Sequence, residues 1–137
     1  MPVRMPVGAG LGFRRELLPE MEAGVPDAVQ FFELAPENWA GMGGRSARQL
    51  RSFTERYPFV CHGLSLSVGG QRPLDTELLQ RTRDFMATHD IGLYTEHLSW
   101  SNDAGQLYDL LPLPCTGEAV RWTAARIRQA QDVLGCR

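Results

Sequence analysis

A short apolar run followed by an amphipathic helical stretch recurs four times along this chain, and that alternation narrows the fold more than any other feature. Residues 7–13 read as a glycine-rich strand, and 14–23 as a helix with Leu17, Leu18 and Met21 on one side. Gly24, Pro26 and Asp27 supply a turn, and 29–35 read as the second strand. A loop at 41–44 precedes a helix at 46–57 that turns Leu50 and Phe53 inward; 59–62 form the third strand. Gly69, Gly70 and Pro73 mark a loop, after which 74–89 carry Leu78, Leu79, Phe85 and Met86 at core spacing. Residues 91–97 form the fourth strand. A longer loop, 99–114, contains Asp103-Ala104-Gly105, which suits a hairpin turn. Thr116 fits as the N-cap of a last helix whose core face carries Val120, Trp122, Ile127 and Val133.

Successive βα units build a parallel sheet covered by helices, because each right-handed crossover returns the chain beside the strand it left. Two architectures share that pattern: a doubly wound sheet and half of a (β/α)8 TIM barrel. The first binds its phosphate at a glycine-rich turn after strand one. Gly8-Ala9-Gly10-Leu11-Gly12 resembles that turn, but Phe13 stands where the spacing needs the next glycine. The barrel fits better, since polar residues gather at strand C-terminal ends, where barrel active sites lie. These are Glu37 and Asn38 after strand two, His62 after strand three, and Glu96 and His97 after strand four. A complete barrel takes roughly 250 residues, so the 137 residues are expected to form one partial α/β domain over 1–137. That domain is the N-terminal half of a barrel, with four parallel βα units and the C-terminal half missing.

With 43% hydrophobic and 22% charged residues, the chain has the makings of a core. The net charge of −2 is scattered, and no basic stripe marks a nucleic-acid surface. No apolar run reaches the length of a membrane span. The first residues lack the apolar segment of a secretory signal. Cys61, Cys115 and Cys136 are odd in number and far apart, which supports neither a disulfide framework nor a zinc knuckle. A cytoplasmic setting is expected.

His62 and His97 end neighbouring strands, which lie roughly 5 Å apart. Two imidazoles so placed reach one metal ion at the usual distance of about 2 Å. Glu37, Asn38 and Glu96 are expected to orient the histidines or bind substrate rather than coordinate metal. For Glu96 the reason is strand alternation, which sends adjacent side chains to opposite faces. An oxygen-activating site typically adds a carboxylate to two histidines. His89 reads as structural, a cation favoured at a helix C-terminus. Arg14 and Arg15 suit either a peptide carboxylate or solvent; Trp39 and Trp100 suit a peptide groove or the core. Cys61 reads as core, Asp109 as a turn residue, and the Tyr108 hydroxyl as a group at the barrel mouth.

Several pieces occur together and in order: Gly10-Leu11-Gly12-Phe13-Arg14-Arg15, Phe31-Phe32-Glu33-Leu34-Ala35-Pro36-Glu37-Asn38-Trp39, His62-Gly63-Leu64-Ser65-Leu66-Ser67, Glu96-His97-Leu98-Ser99 and Asp109-Leu110-Leu111-Pro112-Leu113-Pro114. From about Val7 onward the chain thereby resembles the DUF692 (UPF0276) family of multinuclear non-haem iron oxidases, the methanobactin-biosynthesis type. The resemblance implies a (β/α)8 barrel holding two or three iron ions. With dioxygen these oxidise a cysteine of a ribosomally made precursor peptide, which a small partner protein presents. It also implies that His62 and His97 are iron ligands. The next ligand would be a glutamate of a fifth strand, in a Leu-Glu-Asn-Pro-like segment that this sequence lacks. The chain is therefore expected to be a truncated oxidase, inactive alone and holding iron weakly or not at all. A complementary half-barrel or a homodimer would cover its open edges. Other readings are a non-catalytic peptide- or partner-binding module, or another metal-dependent barrel enzyme such as a sugar isomerase or an endonuclease.

Overall fold

The structure, a computed structural model, describes residues 6–102 and 106–136. Four parallel strands, β1 (Ala9–Gly12), β2 (Val29–Leu34), β3 (Phe59–His62) and β4 (Tyr94–Thr95), lie side by side in chain order. The helices α1 (Leu18–Ala23), α2 (Gly44–Thr54) and α3 (Thr76–Thr88) connect them. A doubly wound sheet reverses its strand order at a switch point. The unbroken order 1-2-3-4 belongs to a barrel wall, so the molecule is half of a barrel.

The registers Leu11↔Phe32, Phe32↔Phe59 and Cys61↔Tyr94 fix which side chains share a face. Phe32, Leu34, Phe59 and Cys61 turn toward the helices and are buried. There Phe13 meets Phe32, Trp39, Phe53 and Phe59 at ring-centroid distances of 5.1–5.5 Å. Leu50 and Phe53 complete this core from α2, as their spacing predicts. Strand alternation puts His62 on the opposite face from Cys61.

A second apolar cluster forms between α3 and the long last helix, α4 (Gly117–Leu134), around Leu66, Val68, Leu79, Ala130 and Leu134. Both helices start at side-chain caps. Asp75 Oδ1 accepts from the Leu78 N–H at 2.8 Å, and Thr116 Oγ1 accepts from the Ala119 N–H at 3.2 Å. Gly135, at φ 72°, ends α4 in the left-handed conformation glycine favours.

Four sequence expectations are corrected. The face of α4 that packs inward carries Thr123, Arg126, Ala130 and Leu134. Val120 (67% exposed), Trp122 (46%) and Ile127 (39%) are turned outward. Arg126 is tolerated inside because its guanidinium donates to the carbonyls of Val68 (2.8 Å), Arg72 (2.7 Å) and Ser67 (3.2 Å). The fourth strand shrinks from 91–97 to Tyr94–Thr95. Much of the 99–114 loop is a hairpin of β5 (Trp100–Asn102) and β6 (Gln106–Leu111). Asp109 therefore lies in a strand, exposed, and not in a turn. The turn 103–105 and the Tyr108 side chain fall outside the described residues. Trp100 is in β5, while Trp39 is buried against Phe13.

Candidate functional site

Register Cys61↔Tyr94, His62↔Thr95 brings the ends of β3 and β4 level. As a result, two histidines 35 positions apart meet Nε2 to Nε2 at 3.1 Å, with ring centroids 4.4 Å apart and planes at 71°. Each ring has an oxygen near its other nitrogen. His62 Nδ1 lies 2.8 Å from Thr95 Oγ1. That hydroxyl commits its own proton to the Cys61 carbonyl at 3.4 Å, so His62 Nδ1–H is the donor. The lone pair of His62 is thus on Nε2. His97 Nδ1 lies 3.4 Å from Glu96 Oε1, an approach too oblique for a hydrogen bond, and is otherwise unpartnered. A proton on that nitrogen, beside a carboxylate, puts the second lone pair on Nε2 as well.

Two facing lone pairs 3.1 Å apart repel unless a cation or a shared proton lies between them. Nitrogens held about 2.1 Å from one ion are 3.1 Å apart when they subtend about 95° at it, an ordinary angle between metal ligands. The pair therefore fits two positions of a metal site. Among the described residues, no group of three or more His, Cys, Asp or Glu side chains is arranged to hold an ion.

The carboxylates support this pair. Glu96 is 10% exposed at its side chain. Its Oε1 accepts from the His97 N–H at 2.9 Å; its Oε2 accepts from the Tyr94 hydroxyl at 2.9 Å and the Leu66 N–H at 3.4 Å. Alternation predicts that Glu96 and His97 face opposite ways, but β4 ends at Thr95, so both come to the same side. Glu37, in a single helical turn at Pro36–Asn38, accepts from the N–H groups of Leu64 (2.7 Å) and Ser65 (3.2 Å). Its Oε2 is buried without a partner. Asn38 is exposed, and its backbone carbonyl takes a 2.6 Å hydrogen bond from Arg15, whose guanidinium lies over the Trp39 ring. Burial and then Glu96 raise the Tyr94 hydroxyl above its ordinary range. Burial and then Glu37 push the Cys61 thiol up to about 12, so it is inert.

His89 stands apart from this cluster. It ends α3 with Nδ1 3.1 Å from Thr54 Oγ1. Burial, then the Arg51 charge, lower its pKa, which corrects the expectation of a cation there. Arg51 supplies that charge instead, donating to the Thr88 carbonyl at 2.9 Å. Sequence reasoning missed Thr95, Tyr94 and Gly63. A Cβ on Gly63 would overlap the Tyr94 hydroxyl and the Glu96 carboxylate, so only glycine leaves them room.

A parallel wall with its polar groups gathered at the C-terminal strand ends defines the class as a (β/α)8-type barrel, of which this chain forms half. A family model described as "RiPP precursor modification enzyme MbnB/TglH/ChrH" matches residues 8–137, and the chain belongs to that family. It is 62% identical over 125 residues to a UPF0276 protein of Nitrosospira multiformis, covering 91% of this chain and 44% of that protein. It is 58% identical over 127 residues to one of Pseudomonas aeruginosa (93% and 45%). To one of Alcanivorax borkumensis it is 54% identical over 140 residues (98% and 47%). The chain thus spans just under half the length of these curated relatives. Among the described residues, no helix is long and apolar enough to cross a membrane.

Proposed function

We propose that the chain is half of a metal-dependent enzyme that oxidises a cysteine of a ribosomally made precursor peptide, with His62 and His97 holding one iron ion. The observation that carries this reading is the 3.1 Å approach of the two Nε2 atoms, each ring having an oxygen beside its Nδ1. Membership in a family of RiPP precursor modification enzymes supports the peptide substrate. Bound iron would supply the redox chemistry with dioxygen. The chain's own residues set the stage for it. Thr95 fixes the His62 tautomer, Glu96 braces His97, and Glu37 holds the backbone of Leu64 and Ser65 just beyond His62. Two imidazoles leave most of an ion's positions unfilled, so turnover requires further ligands from outside residues 1–137. A small partner protein that presents the peptide belongs to the same reading, as does a reducing cytoplasm, in keeping with three free cysteines.

Anaerobic equilibrium dialysis against ferrous iron tests the site. One weakly held ion per chain is expected, lost in both His62→Ala and His97→Ala while circular dichroism stays unchanged. Equal binding by wild type and variants rejects the assignment. No binding by the folded wild type also rejects it and favours a peptide-binding module in which the histidines share a proton.

A further inference from the structure

Glu96 follows Thr95, the last residue of β4, so strand alternation no longer dictates where its side chain points. Hydrogen bonds fix it instead. Oε1 accepts from the His97 N–H at 2.9 Å, and the same oxygen lies 3.4 Å from His97 Nδ1. Oε2 accepts from the Tyr94 hydroxyl at 2.9 Å and from the Leu66 N–H at 3.4 Å. These two donors are unequal. The hydroxyl is within the ordinary range of an O–H···O bond, whereas the amide is beyond that of a good N–H···O bond. Tyr94 is therefore the principal anchor of Oε2. The anchor is itself held, because the Tyr94 ring packs against both apolar clusters. Gly63 lacks the Cβ that would displace the hydroxyl and the carboxylate together.

We infer that Tyr94 is a positioning residue of the histidine pair: its hydroxyl pins Glu96 Oε2, which keeps Oε1 beside His97 Nδ1 and the His97 proton on that nitrogen, leaving the lone pair on Nε2. The use of that lone pair for metal rests on the proposed function, whereas the tautomer does not. His97 Nδ1 has no completed hydrogen bond, so the carboxylate charge 3.4 Å away holds the proton there. Charge is effective at that distance because the Glu96 side chain is only 10% exposed. In the metal-free chain it works against a competitor. With the proton on Nε2, His97 would donate to His62 Nε2, 3.1 Å away, and relieve the facing lone pairs. The balance between the two tautomers depends on where the carboxylate sits, and Tyr94 sets that. His62 needs no such relay, since Thr95 Oγ1 meets its Nδ1 directly at 2.8 Å. The group beside His97 is a flexible carboxylate, and it takes a second residue to hold it.

The first readout uses the metal-free protein. Two-bond proton–nitrogen correlation of the histidine rings at about pH 8, above the ordinary histidine range, shows which nitrogen carries each proton. His97 Nδ1 is expected to be protonated in the wild type and to lose that proton in favour of Nε2 in Tyr94→Phe, which removes one oxygen and keeps the packed ring. A bare His97 Nδ1 in the wild type overturns the inference without any variant. So does an Nδ1 proton retained in Tyr94→Phe of unchanged circular dichroism. The second readout is anaerobic dialysis against ferrous iron. Tyr94→Phe should bind about tenfold more weakly, the low end of what losing a ligand's support costs. In a Glu96→Gln background the same change should alter affinity less than about twofold, because Tyr94 acts through Glu96. Equal losses in both backgrounds would mean that Tyr94 acts through packing alone, and would overturn the inference. Should the tautomers behave as expected while the wild type binds no iron, the proposed metal function fails and the role of Tyr94 stands.

Discussion

The Thr95 hydroxyl is placed to decide which nitrogen of His62 is free. It accepts from Nδ1 at 2.8 Å while its own proton goes to the Cys61 carbonyl. Valine has the same shape and offers no acceptor. Thr95→Val is therefore expected to weaken ferrous-iron binding about 10–100-fold, the usual effect of losing a ligand's supporting hydrogen bond. Dialysis against iron checks the loss, and an unchanged urea midpoint separates it from unfolding. Affinity equal to wild type would mean that packing alone orients His62. Gly63 acts by absence: its missing Cβ leaves the room in which Tyr94 and Glu96 meet.

Among the elements, α4 ties the loop after β3 to the rest of the molecule. Arg126 is 7% exposed and its guanidinium satisfies three carbonyls of residues 67–72. The Glu37 and Glu96 carboxylates hold the other end of that loop through the N–H groups of Leu64, Ser65 and Leu66. The hairpin joins in: Ser101 N–H donates to Ser67 Oγ at 3.0 Å, and Gly69 N–H to the Ser99 carbonyl at 2.9 Å. Arg126→Leu keeps apolar bulk but strands buried carbonyls. It should cost about 1.5–3 kcal/mol, the range for hydrogen bonds to a charged group, measured by urea unfolding. A change below about 0.5 kcal/mol would mean that water replaces the guanidinium.

At the scale of the whole molecule, one aromatic core lies under the sheet and a smaller one between α3 and α4, and Tyr94 packs against both. Global stability carries a pH signature from His89, whose pKa is lowered in the folded state below the ordinary 6.5. The unfolded chain then binds more protons between the two values, so stability rises with pH across that window. The contribution is complete above about 6.5 and is lost as pH falls through the folded value. His89→Gln removes that proton uptake. The gap between wild-type and variant urea midpoints should therefore shift in the variant's favour as pH falls from 7 to 5. A gap independent of pH would show that His89 titrates alike in both states.

Hydrophobic periodicity and turn chemistry are local, and what they determine was legible without a structure. The βα alternation, the cap at Thr116, the inward Leu50 and Phe53, and the position of His62 at the end of its strand all follow from neighbours within a few residues. Local pattern also favoured the barrel over the doubly wound sheet, through the polar residues at the strand ends, and the unbroken strand order agrees. It could not say which stripe of α4 turns inward. Val120, Trp122 and Ile127 read as core, yet the buried stripe holds Arg126, because carbonyls 54–59 positions away compensate its charge. Thr95 and Tyr94 gave no signal either. Their partners are His62, 33 positions away, and a Glu96 that alternation directs to the wrong side until the strand ends early. A sequence fixes what each segment prefers, whereas contacts across tens of residues exist only once parallel pairing has set the register.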